Sequence, residues 1–249
     1  MRKTVFILVA IAIAVIFSSC EDKITNGTVT LNFDHKVGTE DLVFDDIKYP
    51  AKSGHTYSVA TLKYYISNIT LNQSGGSGLT FDDVHYRDAK EASTRQLELG
   101  DIPNGEYTSI SFTFGLDETA NVDAGLENTQ TNINMEWPIP GDQGYHYMKF
   151  EGKYDSLNTA TIKNFNIHTG ATMGNQNFVT VTVPASDISV DGENWTISVV
   201  MDLNEWLQNP TTFDFETYGP MIMMNQAAQE VVQANGQTVF SIGEMDSAE

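Results

Sequence analysis

Apolar and polar residues alternate strictly over several stretches of this chain. In TVTLNFDH (28–35), Val29, Leu31, Phe33 and His35 fall on one side and Thr30, Asn32 and Asp34 on the other. A period of two is the signature of a strand with one buried face. EYTSISFTFG (106–115) repeats it with Ile110, Phe112 and Phe114 against Ser109, Ser111 and Thr113. NFVTVTV (177–183) sets Val179, Val181 and Val183 inward, and WTISVVMDL (195–203) does the same with Trp195, Ile197, Val199, Met201 and Leu203. In YHYMKFEGKY (145–154), His146, Met148, Phe150 and Tyr154 share the core parity, with Tyr147, Lys149, Glu151 and Lys153 on the other. In TLKYYISNITL (61–71) the apolar parity changes between Ile66 and Ile69, which predicts a bulge or bend near Ser67-Asn68, as where a strand crosses between sheets.

Turn signals separate these runs: QSGGSG (73–78) reads as a hairpin loop and DIPNGEY (101–107) as a turn. Residues 118–144 form a long polar segment without alternation, a length at which a loop usually has a function. One helix stands out, NQAAQEVVQANG, with Asn225 as N-cap and Asn235-Gly236 as its stop. The expected architecture is all-β: a single antiparallel β-sandwich with a short C-terminal helix, spanning 28–243 without a second domain boundary.

The first nineteen residues do not belong to that pattern. Arg2 and Lys3 precede the apolar run VFILVAIAIAVIF, which has the length of a signal-peptide core. The run ends in SSC, and Cys20 is the only cysteine of the chain. This predicts a lipoprotein signal peptide (1–19), lipid on the sulfur of Cys20 and a polar tether over 20–27. The domain then has no thiol, hence no disulfide, thiolate metal site or cysteine nucleophile. Acidic Glu21-Asp22 after the cysteine resembles the surface-export tag of Bacteroidetes-type lipoproteins. Without Arg2 and Lys3 the chain keeps 11 basic against 33 acidic residues, a net charge of −22. Such a surface repels phosphate backbones, which excludes nucleic acid as a partner, and it repels anionic lipid, so a membrane is reached through the acyl chain.

No Gly-rich phosphate loop, G-x-S-x-G elbow or H-E-x-x-H motif occurs, and an enzyme is not expected. FDDVHYRD (81–88) gathers Asp82, Asp83, His85 and Asp88 but reads as a solvated acidic edge. PMIMM (220–224) offers three thioethers, soft ligands for Cu(I), although methionines in β proteins usually fill core gaps. His35 and His146 fall at inward, loop-end positions of their strands. His168, opposite in parity to Phe165 and Ile167, tends outward.

FDHKVGTEDLVFDDIKYPAKSGHTYSVATLKYYISNITL, IPNGEYTSISFTFGLD, MEWPIPGDQGYHYMKFEGKY and FNIHTG, in this order and spacing, resemble the MbnP-like copper-binding domain, the methanobactin-associated periplasmic family. The likeness covers most of residues 28–240. It implies an exported β-sandwich that binds copper, in some members with a tryptophan oxidised to kynurenine by a di-haem peroxidase-like partner enzyme. His168 matches the histidine of the family's H-x-G string. Val122 stands where many relatives carry histidine after Asn121, and Pro138 replaces a second tryptophan after Met135-Glu136-Trp137. The resulting expectation is a copper site of His168, His35 and His146 with Trp137 close by, on a lipid-anchored protein of the outer membrane or periplasm. The competing expectation is a surface lipoprotein that has lost the metal and recognises a protein or glycan with the 118–144 loop.

Overall fold

The computed structural model describes residues 26–141 and 143–248; the leader, Cys20 and nearly all of the tether lie outside the described residues. Among the described residues, thirteen strands form two sheets that pack face to face. The first sheet is built on β1 (Gly27–Val37), with β12 (Asn194–Asp202) along one edge and β7 (Gln96–Ile102) and β2 (Glu40–Asp41) along the other. β13 (Phe240–Ala248) closes its far side against β12. The β1–β12 pair is parallel, the one departure from the antiparallel pattern among the named strands.

The second sheet is organised around the 18-residue β4 (Thr56–Gln73). Lys63 pairs with both Lys149 and Asp88, and Ile66 with both Phe114 and His85. β6 (His85–Asp88) therefore occupies one edge of β4, while β8 (Gly105–Phe114) and β9 (His146–Ser156) share the opposite edge, end to end. β3 (Tyr49–Pro50) and β5 (Gly78–Phe81) extend the β6 row. Beyond β8 and β9, β11 (Val179–Val190) and β10 (Thr161–Gly170) also lie end to end. The sheet is thus four rows wide, and two of its rows are interrupted at the same level. The chain leaves this seam after Phe114, returns at His146, leaves again after Gly170 and returns at Val179.

The seam coincides with the kink in β4. Pairing to β8 shifts register between Ser67 and Thr70, and Asn68 has φ +52°, the left-handed conformation that asparagine tolerates. The bulge expected at Ser67-Asn68 is therefore present, but β4 stays in one sheet rather than crossing to the other. The core between the sheets contains most residues the alternation set inward on β1, β8 and β12, among them Leu31, Phe33, Ile110, Phe112, Phe114, Ile197 and Val199, with Phe150 and Val181 beside them and Trp195 partly buried at its margin. A second, smaller cluster lies on the outer face of the second sheet: Tyr65, Leu116, Met135, Tyr145 and Tyr147. It seats the long loop, which carries a one-turn helix α1 (Gln130–Asn134) and is anchored by Asn121. The Asn121 side chain accepts from the Tyr145 amide at 2.9 Å and donates to the Tyr147 hydroxyl at 3.0 Å. α2 (Phe215–Tyr218) and the C-terminal α3 (Gln226–Asn235) follow β12, and Asn225 caps α3 through its side chain as expected.

Candidate metal centre at the seam

β9 and β10 pair directly from Thr161–Ser156 to Thr169–Met148, but the next pair is Gly170–His146. Tyr147 is the extra residue of this bulge. A bulge places two successive side chains on one side of the strand, so His146 leaves the parity of Met148 and Phe150 and joins Tyr147 on the outer face. Alternation alone set His146 toward the core; the bulge corrects that. His168 lies directly opposite Lys149 and so shares that outer face, as its parity predicted.

The two imidazoles meet there. Their ring centroids are 5.0 Å apart and nearly perpendicular, at 85°. Trp137, delivered by the loop, lies 4.9 Å from the His146 ring. It packs over Gly170, where a Cβ would come within 2.6 Å of the indole, so only glycine leaves room for the ring. Trp137 is 6 % exposed and its buried indole N–H has no hydrogen-bond partner.

Hydrogen bonds select the nitrogen that each imidazole offers. His146 Nδ1 donates to the Met135 carbonyl at 3.0 Å, which leaves Nε2 with the lone pair in the neutral ring. His168 Nε2 donates to Glu151 Oε1 at 2.7 Å, which leaves Nδ1. A carboxylate or carbonyl behind each ring is the usual support of a metal-ligating histidine. Burial, aided by the charge of Lys149, pushes the His146 pKa down to about 3, so its ring stays neutral well into acid. The hydrogen bond from His168, with a smaller contribution from Thr61, holds the Glu151 carboxyl below the ordinary range. Among the described residues, no three His, Cys, Asp or Glu side chains come together as a metal-holding group. The protein-derived set is two imidazoles with an indole beside them.

His35, expected as a third ligand, is not brought to this pair. It belongs to the other sheet and turns inward, where Nε2 meets the Tyr64 hydroxyl at 2.9 Å. Its parity was legible; that β1 and β9 end in different sheets was not. Burial first, and the charge of Arg95 second, lower its pKa from 6.5 to about 4, with Asp88 opposing. A histidine depressed by folding contributes stability that is present above pH 6.5 and is lost as pH falls toward 4. Unfolding free energy should fall by about 2–3 kcal/mol between pH 7 and 4.5 on this account. Urea titrations at the two pH values, with His35→Gln as the reference, should show that difference shrinking in the variant; an unchanged difference would remove His35 as its source. The carboxylate that supports His168 was also missed in the sequence. Its signal was Glu151 lying two residues beyond Lys149 on the outward parity, which becomes meaningful only once Lys149 is known to oppose His168.

Two supported imidazoles and an indole meeting at an interrupted seam of a β-sandwich form the candidate site of this chain. The family model for MbnP matches residues 26–225, and the chain belongs to the MbnP family. MbnP from Methylosinus trichosporium has the same fold: its structure aligns with a TM-score of 0.51 at 12 % identity, over 90 % of this chain and 99 % of that one. Among curated proteins, none matches the chain in sequence. No described helix is long and apolar enough to cross a membrane.

Proposed function

We propose that this protein is a non-enzymatic copper-binding lipoprotein of the cell envelope, with His146 and His168 as its imidazole ligands. The observation that carries the reading is the meeting of the two rings across the β9–β10 bulge, each with its second nitrogen tied to an acceptor. Neutral imidazole suits copper where no thiolate is available. His146 Nε2 and His168 Nδ1 are the donors in this reading, and Trp137 supplies the third wall. Oxidation of Trp137 by a di-haem peroxidase-like partner would convert the indole into a group with donor atoms of its own, which intact mass would register. The decisive measurement is titration of the metal-free protein with Cu(II) against a competitor ligand. One equivalent bound with an imidazole spectroscopic signature supports the proposal; binding no tighter than that of a histidine-free control protein defeats it.

Anchoring through lipid on Cys20 belongs to the same proposal, motivated by the basic start, the apolar run and the lone cysteine after two serines. Cys20→Ala should move the protein from the membrane fraction to the soluble one; continued membrane retention with acylation would contradict it.

The second reading, an interaction module, draws on a polar cleft of about 700 Å³ on the same outer face, lined by Lys63, Tyr86, Asp88, Lys149 and Glu151 among others. A protein or glycan occupying it would lie against the carboxylate behind His168. The copper reading is preferred because the two imidazoles are already paired and supported without any partner.

A further inference from the structure

Of the three methionines of PMIMM that sequence pattern assigned to core gaps, none is buried: Met221 and Met224 are exposed and Met223 is half-buried. Met135, Met148 and Met201 are buried, at 1 %, 0 % and 1 % exposure. Met173, Met221 and Met224 are 72 %, 70 % and 74 % exposed, more than any other large apolar side chain among the described residues. In PMIMM it is Ile222 that fills the core, at 0 %. We propose that Met173 and Met224, with Met221, form a thioether site for monovalent copper beside the end of β10.

Three contacts bring these residues to one edge. The Asn166 amide donates to the Pro220 carbonyl at 2.6 Å, next to Met221. The buried Gln229 side chain donates both to the His168 carbonyl at 2.8 Å and to the Ile222 carbonyl at 3.1 Å. The Thr172 hydroxyl donates to the Met223 carbonyl at 3.1 Å. Residues 220–224 therefore follow the outer edge of β10 and its continuation, and Met173 and Met224 are the immediate successors of the two residues joined by that last bond. Thr172 and Asn175 close a tight turn through reciprocal amide–carbonyl bonds of 3.0 and 2.9 Å, which holds Met173 at φ +52°. That conformation is uncommon for a residue with a side chain, and here it places an unbranched thioether at the tip of an exposed turn.

The chemistry fits one ion class. Thioether sulfur is neutral and soft, favours Cu(I) over harder divalent ions and does not protonate in the physiological range. The edge also adjoins the imidazole pair: the Thr172 hydroxyl reaches the Gly170 carbonyl at 3.4 Å, and Gly170 is the residue over which Trp137 packs. The thioether site extends the copper reading to a second oxidation state, and it rests on that reading for its purpose but not for its donors.

The test is anaerobic titration of the full chain, metal-free and at pH 5.5 and 7, with Cu(I) supplied as its acetonitrile complex. Methionine methyl resonances are followed by ¹³C labelling. In the wild type the methyls of Met173, Met221 and Met224 should shift together, equally at both pH values. The triple variant Met173→Leu, Met221→Leu, Met224→Leu keeps apolar volume at exposed positions and should lose one Cu(I) equivalent, while retaining Cu(II) binding at the imidazoles. The same methyls should still shift in His146→Ala, His168→Ala protein, so failure of the imidazole site is read separately. Unshifted methyls, or the same Cu(I) stoichiometry in the triple variant, would overturn the proposal.

Discussion

His146→Ala and His168→Ala should each weaken Cu(II) binding by at least about a hundredfold, the upper end of what even an outer-shell change costs a metal site. With two imidazoles, loss of either leaves a single nitrogen donor on a rigid sheet, and no third His, Cys, Asp or Glu stands in a metal-holding group among the described residues. Glu151→Gln should cost less, about tenfold, because the amide keeps an acceptor for His168 Nε2 but removes the charge that strengthens its 2.7 Å hydrogen bond. His35→Ala should leave binding unchanged, since that ring belongs to the other sheet and is held in the core by its contact with the Tyr64 hydroxyl. The informative pattern is the ranking. Equal, weak binding in wild type and His168→Ala would remove the centre altogether, while a loss on His35→Ala alone would move it to the other sheet.

Pattern reading reached the strands and their faces because alternation at a period of two is a direct consequence of the pleat. It reached the kink in β4 because Ile66 and Ile69 differ in parity, and it reached the cap of α3 because asparagine before an amphipathic run has one common use. What remained hidden was non-local. That β8 and β9 run end to end along one edge of β4 depends on Lys63 and Ile66 each having two cross-strand partners. No local window contains that information. The bulge at Tyr147, which turns His146 to the outer face, is equally silent in the sequence: YHYMKF reads as an unbroken strand. The resemblance to MbnP-like domains pointed to His168 and Trp137, and strand parity to His35 and His146; the structure brings His146, His168 and Trp137 together and keeps His35 apart. Three glycines within the strings that carry the resemblance have physical purposes. Gly144, at φ +85°, accommodates the Asn121 side chain where a Cβ would lie 2.0 Å from its oxygen. Gly170 makes room for Trp137. Gly152 is the third.

Gly152→Ala should destabilise the protein by about 4 kcal/mol, beyond the usual cost of overpacking, because the nearest obstacle is backbone. A Cβ at position 152 would lie 1.9 Å from the Ser58 carbonyl oxygen and 2.9 Å from the ring of Phe165. Neither can yield cheaply. Ser58 belongs to β4 beside the Gly152–Val59 pair, so its oxygen moves only if β4 and β9 separate. Phe165, opposite Gly152 on β10, is locked by ring contacts with Phe150 at 5.3 Å and Phe215 at 4.8 Å. The displaced strand is also the one that carries His146, Lys149 and Glu151, so copper binding should weaken along with stability. Gly100→Ala is the matched control. Nothing lies within 4 Å of its Cβ position and its backbone is not in the left-handed region, so the change should be neutral or stabilising by up to about 1 kcal/mol. Urea unfolding of both variants decides the matter. A Gly152→Ala midpoint within the range of the Gly100→Ala control would mean that β4 and β9 are not in the close register on which the proposed metal centre depends.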